Sequence, residues 1–211
     1  SSFSERAWRL VDITASAFLL VVLLPLFGFL ALAIRASSPG PVLFRQKRVG
    51  LGEKQFVFLK FRSMRNDMRG NIEAHREYFE RYVEGKPADG DEGERFKAVD
   101  TGRITAVGRL MRRTSLDELP QLWNVLKGEM SLVGPRPCIP YELRYYKDWH
   151  RIRFTVKPGL TGIWQVYGRS RLPFDAAQFL DFCYALKRSI GLNTRLLLKT
   201  FPVMLFGRGG L

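Results

Sequence analysis

Apolar and polar positions separate sharply near the start of the chain: residues 13–34 (ITASAFLLVVLLPLFGFLALAI) run for 22 positions without a charge. As a helix this stretch is about 33 Å long, enough to cross a hydrocarbon core of roughly 30 Å. It does not read as a secretory signal, whose apolar region is shorter and whose start is basic; here Glu5, Arg6, Arg9 and Asp12 cancel. A buried helix of a soluble domain is the other reading, but a domain of this size seldom hides so long a run. Pro25 falls in the middle, where it removes one intrahelical hydrogen bond and clashes with the preceding turn. Two forms follow: a kinked spanning helix, or a re-entrant helix–break–helix that returns both ends to one side. Residues 35–69 carry nine Lys/Arg against Glu53 and Asp67, which assigns that side to the cytoplasm and its anionic leaflet.

Past the turn cluster Ser37-Ser38-Pro39-Gly40-Pro41, the pattern changes to short runs rich in β-branched and aromatic residues. Residues 42–49 and 55–62, separated by Gly50-Leu51-Gly52-Glu53, predict a β-hairpin. Residues 73–84 have helical composition, and 85–93 form a polar Gly/Asp/Pro loop. Helices are predicted over 107–113 and 119–127, the second closed by Gly128, and a short strand over 130–133 running into Gly134-Pro135-Arg136-Pro137. Residues 174–187 and 194–206 have helical spacing. The last is largely apolar with Arg195, Lys199 and Arg208 around it, which suits a helix lying in a membrane interface as well as it suits a core helix. No internal repeat is visible. Gly50-Leu51-Gly52 lacks the following helix of a dinucleotide site, and a Walker-type phosphate loop is missing.

Charge sharpens this picture. The 211 residues hold 34 Lys+Arg against 20 Asp+Glu, a net +14. Eight of the acids fall between Glu73 and Glu94, opposed by Arg76, Arg81 and Lys86, so the excess elsewhere is larger still. Such a surface expects a polyanion: nucleic acid, anionic lipid or a phosphate-bearing substrate. With 46% hydrophobic and 13% aromatic residues, disorder of the whole chain is excluded. Cys138 and Cys183 are too few for a disulfide framework and fit a thiol-reducing compartment. His75 and His150 sit in no metal-ligand pattern.

The densest polar knot is Arg112-Arg113-Thr114-Ser115-Leu116-Asp117-Glu118-Leu119-Pro120-Gln121. One reading is a capping box, with Ser115 as cap and Glu118 reaching back; it puts Pro120 where a backbone donor is wanted. Starting the helix nearer Asp117 removes that conflict and leaves Asp117 and Glu118 as projecting first-turn groups. The other reading is phosphoryl chemistry. Arginines neutralise phosphate oxygens bidentately, and a carboxylate can hold Mg²⁺ with substrate oxygens as co-ligands or attack phosphorus. Two bare charges 4 Å apart repel by about 4 kcal/mol at an effective dielectric of 20, so a carboxylate approaching a diphosphate needs cations around it. Arg136 between its two prolines is either a surface turn residue or one such cation. Lys60 and Arg62 alternate along the second strand and share one face, which is either solvated or phosphate-binding. Asp175 and Asp181 read as surface acids, with Asp181 a weaker site candidate. Lys157-Pro158-Gly159-Leu160-Thr161-Gly162 is a turn able to shape a pocket wall, with Gln165 beyond it.

These blocks, taken with Ser38-Pro39-Gly40-Pro41-Val42-Leu43-Phe44-Arg45-Gln46-Lys47-Arg48-Val49-Gly50, Lys60-Phe61-Arg62-Ser63-Met64 and Leu122-Trp123-Asn124-Val125-Leu126-Lys127-Gly128-Glu129-Met130-Ser131-Leu132-Val133, resemble the bacterial sugar transferases, the monotopic polyprenyl-phosphate phosphoglycosyl transferases. The likeness covers nearly the whole chain, and Lys199-Thr200 and Gly207-Arg208-Gly209 continue it. It implies an α+β fold, mostly helical with a small β-hairpin, in which residues 1–35 form a re-entrant membrane helix broken at Pro25 and interfacial amphipathic helices accompany it. Residues 36–211 become a catalytic domain on the cytoplasmic face of the bacterial inner membrane, with an acidic peripheral insertion at about 70–98. The family's break is typically Ser-Pro, whereas Leu24 precedes Pro25 here, and Asn193 stands where the family often has an acid. The resemblance further implies transfer of a phosphosugar from a UDP-sugar to undecaprenyl phosphate with release of UMP. Asp117 is then the nucleophile, Asp117 and Glu118 the Mg²⁺ ligands, and Lys60, Arg62, Arg112 and Arg136 the phosphate-binding cations. The apolar C-terminal helix is compatible with a homodimer. A membrane-tethered module that binds nucleic acid accounts for the charge but gives Asp117 and Glu118 no purpose, so no nucleic-acid partner is expected.

Overall fold

A computed structural model describes residues 3–65, 68–85, 103–168 and 172–205. The predicted loop beyond residue 85, residues 94–98 at the end of the acidic insertion and the closing Gly207-Arg208-Gly209 fall outside these residues, whereas the first part of the insertion, from 70 to 85, lies within them. Among the described residues the chain is mostly helical with two small sheets, the α+β class expected.

The apolar run forms two helices, α1 (Phe3–Val22) and α2 (Leu24–Ser37), that meet at 61°. Among the described residues no single helix is long and apolar enough to cross a membrane; the bent pair passes that test by length and composition. The break lies at Leu23, two residues before Pro25, which occupies the first turn of α2. A proline is tolerated there because that amide has no intrahelical acceptor to lose, whereas continuing α1 straight would drive its ring into the preceding turn. One side of the pair is packed: Leu30 and Ile34 of α2 join Phe61 and Met111, and Leu19 and Leu20 of α1 lie against the central core. The other side is open, with Phe18, Val21, Leu24, Phe29 and Leu32 all more than 60% exposed.

Strands β1 (Leu43–Val49) and β2 (Gln55–Phe61) form the expected antiparallel hairpin, Leu43 opposite Phe61 and Val49 opposite Gln55. The second sheet has one strand the sequence marked and one it hid. β3 (Ser131–Val133) runs parallel to β4 (Gly159–Thr161), which the sequence read as part of a turn. The two main chains approach so closely that a Cβ on Gly159 would lie 2.0 Å from the Gly134 nitrogen.

Helix α3 (Met68–Val83) covers an aromatic cluster of Phe79, Tyr146, Phe154 and Phe174. Helix α4 (Ala106–Arg113) starts at Thr105, whose hydroxyl accepts from the Gly108 amide, a cap. Then come a 3-10 turn (Leu116–Glu118) and α5 (Gln121–Lys127), closed by Gly128 at φ 86°. Two longer 3-10 segments, Pro140–Tyr145 and Asp148–Thr155, lead through β4 to α6 (Ile163–Tyr167), α7 (Phe174–Lys187) and α8 (Ile190–Leu205). α8 begins four residues before its predicted start. It buries Asn193 and Leu196 and exposes Ile190 and Leu198, so it has both a core face and an apolar outer one.

The start of α1 is bolted to the interior by polar side chains. Arg9 donates to the Val125 and Leu126 carbonyls at 2.6 and 2.8 Å, capping the end of α5. The buried Asp12 carboxylate accepts from the Ser131 hydroxyl and the Leu132 amide, and the Trp8 indole donates to the same hydroxyl.

Candidate active site

The capping-box reading of residues 115–118 is corrected by the backbone. Ser115 is left-handed (φ 56°, ψ 17°) and its side chain makes no cap bond. Asp117 and Glu118 occupy a separate 3-10 turn, Pro120 caps α5, and the Glu118 carboxylate points to cations rather than back to Ser115. The proline conflict is thereby removed.

Around this turn the fold collects three cations from three segments. Lys60, one residue from the end of β2, places Nζ 2.7 Å from Glu118 Oε1 and 3.8 Å from Asp117 Oδ2. Arg136, in the loop after β3, reaches the same Glu118 oxygen at 3.4 Å. Arg112, in the last turn of α4, donates through Nε to the Ser63 hydroxyl at 3.1 Å and contacts the Met64 sulfur. Its Nη1 is buried without a hydrogen-bond partner among the described residues. Gly108 makes this approach possible, since a Cβ there would lie 1.9 Å from the Ser63 carbonyl oxygen.

The two neighbouring carboxyls are electrostatically unlike. Asp117 is 3% exposed. Burial pushes its carboxyl above the usual range, the Lys60 charge pulls it back, and the Glu118 charge adds to the rise. Burial also opposes ionisation of Glu118, but Lys60 and Arg136 outweigh it and hold the group at about 2. One member is a fixed anion and the other a desolvated, more basic one.

The pair offers adjacent hard oxygen donors. Mg²⁺ binds one or two carboxylates and fills its remaining positions with water and phosphate oxygens. Among the described residues there is no cluster of three or more His, Cys, Asp and Glu that would cage an ion without substrate. The donor set therefore fits a magnesium ion shared with a phosphate-bearing substrate.

The other expected residues lie elsewhere. Arg62 falls one residue beyond the end of β2, so the alternation that was to place it beside Lys60 stops short of it. Its guanidinium donates to the Pro39 and Ser38 carbonyls at 2.6 Å each, at the end of α2, where unpaired carbonyls and the helix dipole favour a cation. Gln165 donates to the Leu160 carbonyl at 3.3 Å, away from the carboxylate pair among the described contacts. Asp181 is not the surface acid expected. It is 1% exposed, pairs with Arg153 at 2.9 Å, and is raised by burial to about 6 with Arg153 opposing. Arg153 in turn donates to the main-chain carbonyl of Arg136. Arg153 was missed because nothing in the surrounding His150-Arg151-Ile152-Arg153 run distinguishes the one buried arginine. Ser63 and Arg48 lay inside motif blocks and could have been found there; Arg48 donates to the Pro137 carbonyl at 3.0 Å.

Comparison with known proteins adds the following. The model of the family described as bacterial sugar transferase matches residues 3–207. The chain is 39% identical over 198 residues to the undecaprenyl-phosphate galactose phosphotransferase of Salmonella typhimurium, covering 93% of this chain and 40% of that protein. It is 39% identical over 207 residues to the galactosyl transferase CpsE of Streptococcus agalactiae, covering 96% and 43%. It is 38% identical over 211 residues to the undecaprenyl-phosphate glucose phosphotransferase of Komagataeibacter xylinus, covering 95% and 36%. The chain thus spans about two fifths of the length of these curated relatives.

Proposed function

Since the chain belongs to the bacterial sugar transferase family, we propose that it moves a sugar phosphate from a UDP-sugar to undecaprenyl phosphate and releases UMP, a membrane step of surface-polysaccharide synthesis. The observation that carries this reading is a buried carboxylate, Asp117, set beside an ionised Glu118 and facing Lys60, Arg112 and Arg136. Two of the relatives named above act, by their names, on undecaprenyl phosphate, one with galactose and one with glucose.

The reaction runs in two displacements. An Asp117 oxygen attacks the β-phosphorus of the UDP-sugar; the bond from that phosphorus to the bridging oxygen breaks, and UMP departs with the electron pair. The phosphate oxygen of undecaprenyl phosphate then attacks the phosphosugar–Asp117 ester, and the Asp117 carboxylate is the leaving group. Burial raises the basicity of Asp117, and the Lys60 charge opposes that rise. Arg136 and Arg112 would neutralise phosphate oxygens, more strongly as charge builds in the transition state. Asp117 and Glu118 would hold Mg²⁺, which when bound supplies charge neutralisation at the diphosphate.

The bent α1–α2 pair suits a re-entrant insertion, with its open apolar side in lipid and both ends at the cytoplasmic face. That arrangement sets the carboxylate pair at headgroup level, where a polyprenyl phosphate separates into a wet phosphate and a buried tail. The exposed apolar side of α8 lies in the same interface.

Asp117→Asn, incubated with a UDP-sugar carrying labelled β-phosphate, is expected to trap no label on the protein while inserting in membranes like the parent. An adduct on that variant would remove Asp117 as nucleophile. Ordered sequential kinetics with no adduct on the parent would replace the two displacements by direct attack of the lipid phosphate.

A further inference from the structure

We propose that Arg153 is a positioning residue for the transfer reaction, fixing from inside the fold the main chain of Arg136 so that the Arg136 side chain meets Glu118 and the substrate's phosphate. The proposal rests on the function proposed above.

Arg153 is a fully engaged interior cation. It is 5% exposed. Its Nη1 donates to the Tyr146 hydroxyl at 2.5 Å and to Gln178 Oε1 at 2.7 Å; its Nη2 donates to the Arg136 carbonyl and pairs with Asp181 Oδ2 at 2.9 Å. The guanidinium lies 5.4 and 5.8 Å from the Tyr146 and Phe154 ring centres. Asp181 is held in turn by a hydrogen bond with the Trp164 side chain. A buried ion pair of this kind is seldom worth more to stability than well-packed apolar side chains of the same volume, because both ions leave water. What it supplies is direction, since the planar fork fixes several acceptors at once.

The direction it fixes is that of the Gly134-Pro135-Arg136-Pro137 loop. Arg153 holds the Arg136 carbonyl and Arg48 holds the next one, on Pro137. Upstream, the Gly134 amide donates to the Thr161 carbonyl and the Pro135 carbonyl accepts from the Gly159 amide, each at 2.8 Å. Two prolines restrict what remains. With the backbone pinned on its inner side, the Arg136 side chain extends to Glu118 Oε1 at 3.4 Å. Asp181 therefore acts two steps from the chemistry: it orients Arg153, which orients Arg136.

The test is a double-mutant cycle on the full chain in membranes, reading UMP release from a UDP-sugar with undecaprenyl phosphate as acceptor. Arg153→Lys keeps the charge but not the fork. It is expected to lower kcat by on the order of 100-fold, the cost of a small misplacement of a catalytic group. KM for the UDP-sugar should change little, because the interaction lost is one that strengthens in the transition state. Combined with Arg136→Ala, it is expected to cost nothing beyond Arg136→Ala alone. Losses that multiply, or an Arg153→Lys variant with the parent's kcat, would overturn the proposal. If Arg153→Lys loses cooperative melting, Asp181→Asn, which keeps an acceptor oxygen, replaces it in the cycle; multiplying losses or an unchanged kcat overturn the proposal there too. A parent chain that releases no UMP from any of a panel of UDP-sugars refutes the proposed function instead.

Discussion

One lysine acts on both acids at the centre of the site. Lys60 lies 2.7 Å from Glu118 and 3.8 Å from Asp117, and it opposes the effect of burial on both. An opposite charge at such distances shifts a carboxyl by about 1–3 pH units. Lys60→Met is therefore expected to raise the Asp117 pKa and move the acid limb of the kcat/KM profile to higher pH by about that amount. An unmoved limb would assign that limb to another group. Arg62, two positions along, behaves differently because its hydrogen bonds close the end of α2. Arg62→Ala should lower unfolding free energy by about 2–3 kcal/mol in denaturant titration, whereas the cost of Arg136→Ala should fall on kcat. Alternation along a strand suggested that Lys60 and Arg62 do the same work, and it failed because β2 ends at Phe61. The site cations that were legible, Lys60, Arg112 and Arg136, stand in contiguous motifs; the arginine behind them is recognisable only by what surrounds it in three dimensions.

Among the elements, α7 was readable in full and the hairpin to within a residue at two strand ends, because each is local: a Gly-rich turn between two β-branched runs, and helical spacing that begins after Pro173. β4 was not, since the strand it pairs with, Ser131–Val133, lies some 28 residues earlier in the chain. The 3-10 turn holding Asp117 was hidden for another reason: a Ser followed three residues later by Glu has the form of a cap, and only a left-handed Ser115 shows that it is none. Close packing gives the next prediction. Gly108→Ala would place a methyl group 1.9 Å from the Ser63 carbonyl, so α4 must back away and carry Arg112 off Ser63. A stability loss of about 1–3 kcal/mol is expected, together with a fall in turnover larger than that of an equally destabilised variant elsewhere. Pro25→Ala tests the break. Restoring the amide removes about 3 kcal/mol of penalty against a straight helix. In a membrane, Phe3→Cys combined with Pro25→Ala should then become labelled by an impermeant thiol reagent from the outer face, while Phe3→Cys alone should not.

Across the molecule, three titrating groups with shifted pKa values pull stability in opposite directions with pH. His75, beside the Tyr141 hydroxyl, is lowered to about 4 by burial and the Arg48 and Arg136 charges. Between its ordinary 6.5 and that value the unfolded chain holds a proton the folded chain lacks, so stability falls as pH drops through the window. Glu118, depressed to about 2, adds a loss on acidification below its ordinary 4.5. Asp181, raised to about 6, works the other way and regains stability as it protonates between 6 and 3.8. His75→Asn is expected to flatten the fall in melting temperature between pH 6.5 and 4, and an unchanged slope would place the acid sensitivity in other groups. On the proposed membrane insertion, the polar anchorage of α1 has a consequence for making this protein water-soluble. Cutting the chain ahead of residue 36 would take away Trp8, Arg9 and Asp12, leave the Leu132 amide and the α5 carbonyls without their acceptor and donors, and loosen the strand that leads to Arg136. The workable route is repainting instead of pruning: polar side chains at Phe18, Val21, Leu24, Phe29 and Leu32, with the inward-facing anchors kept.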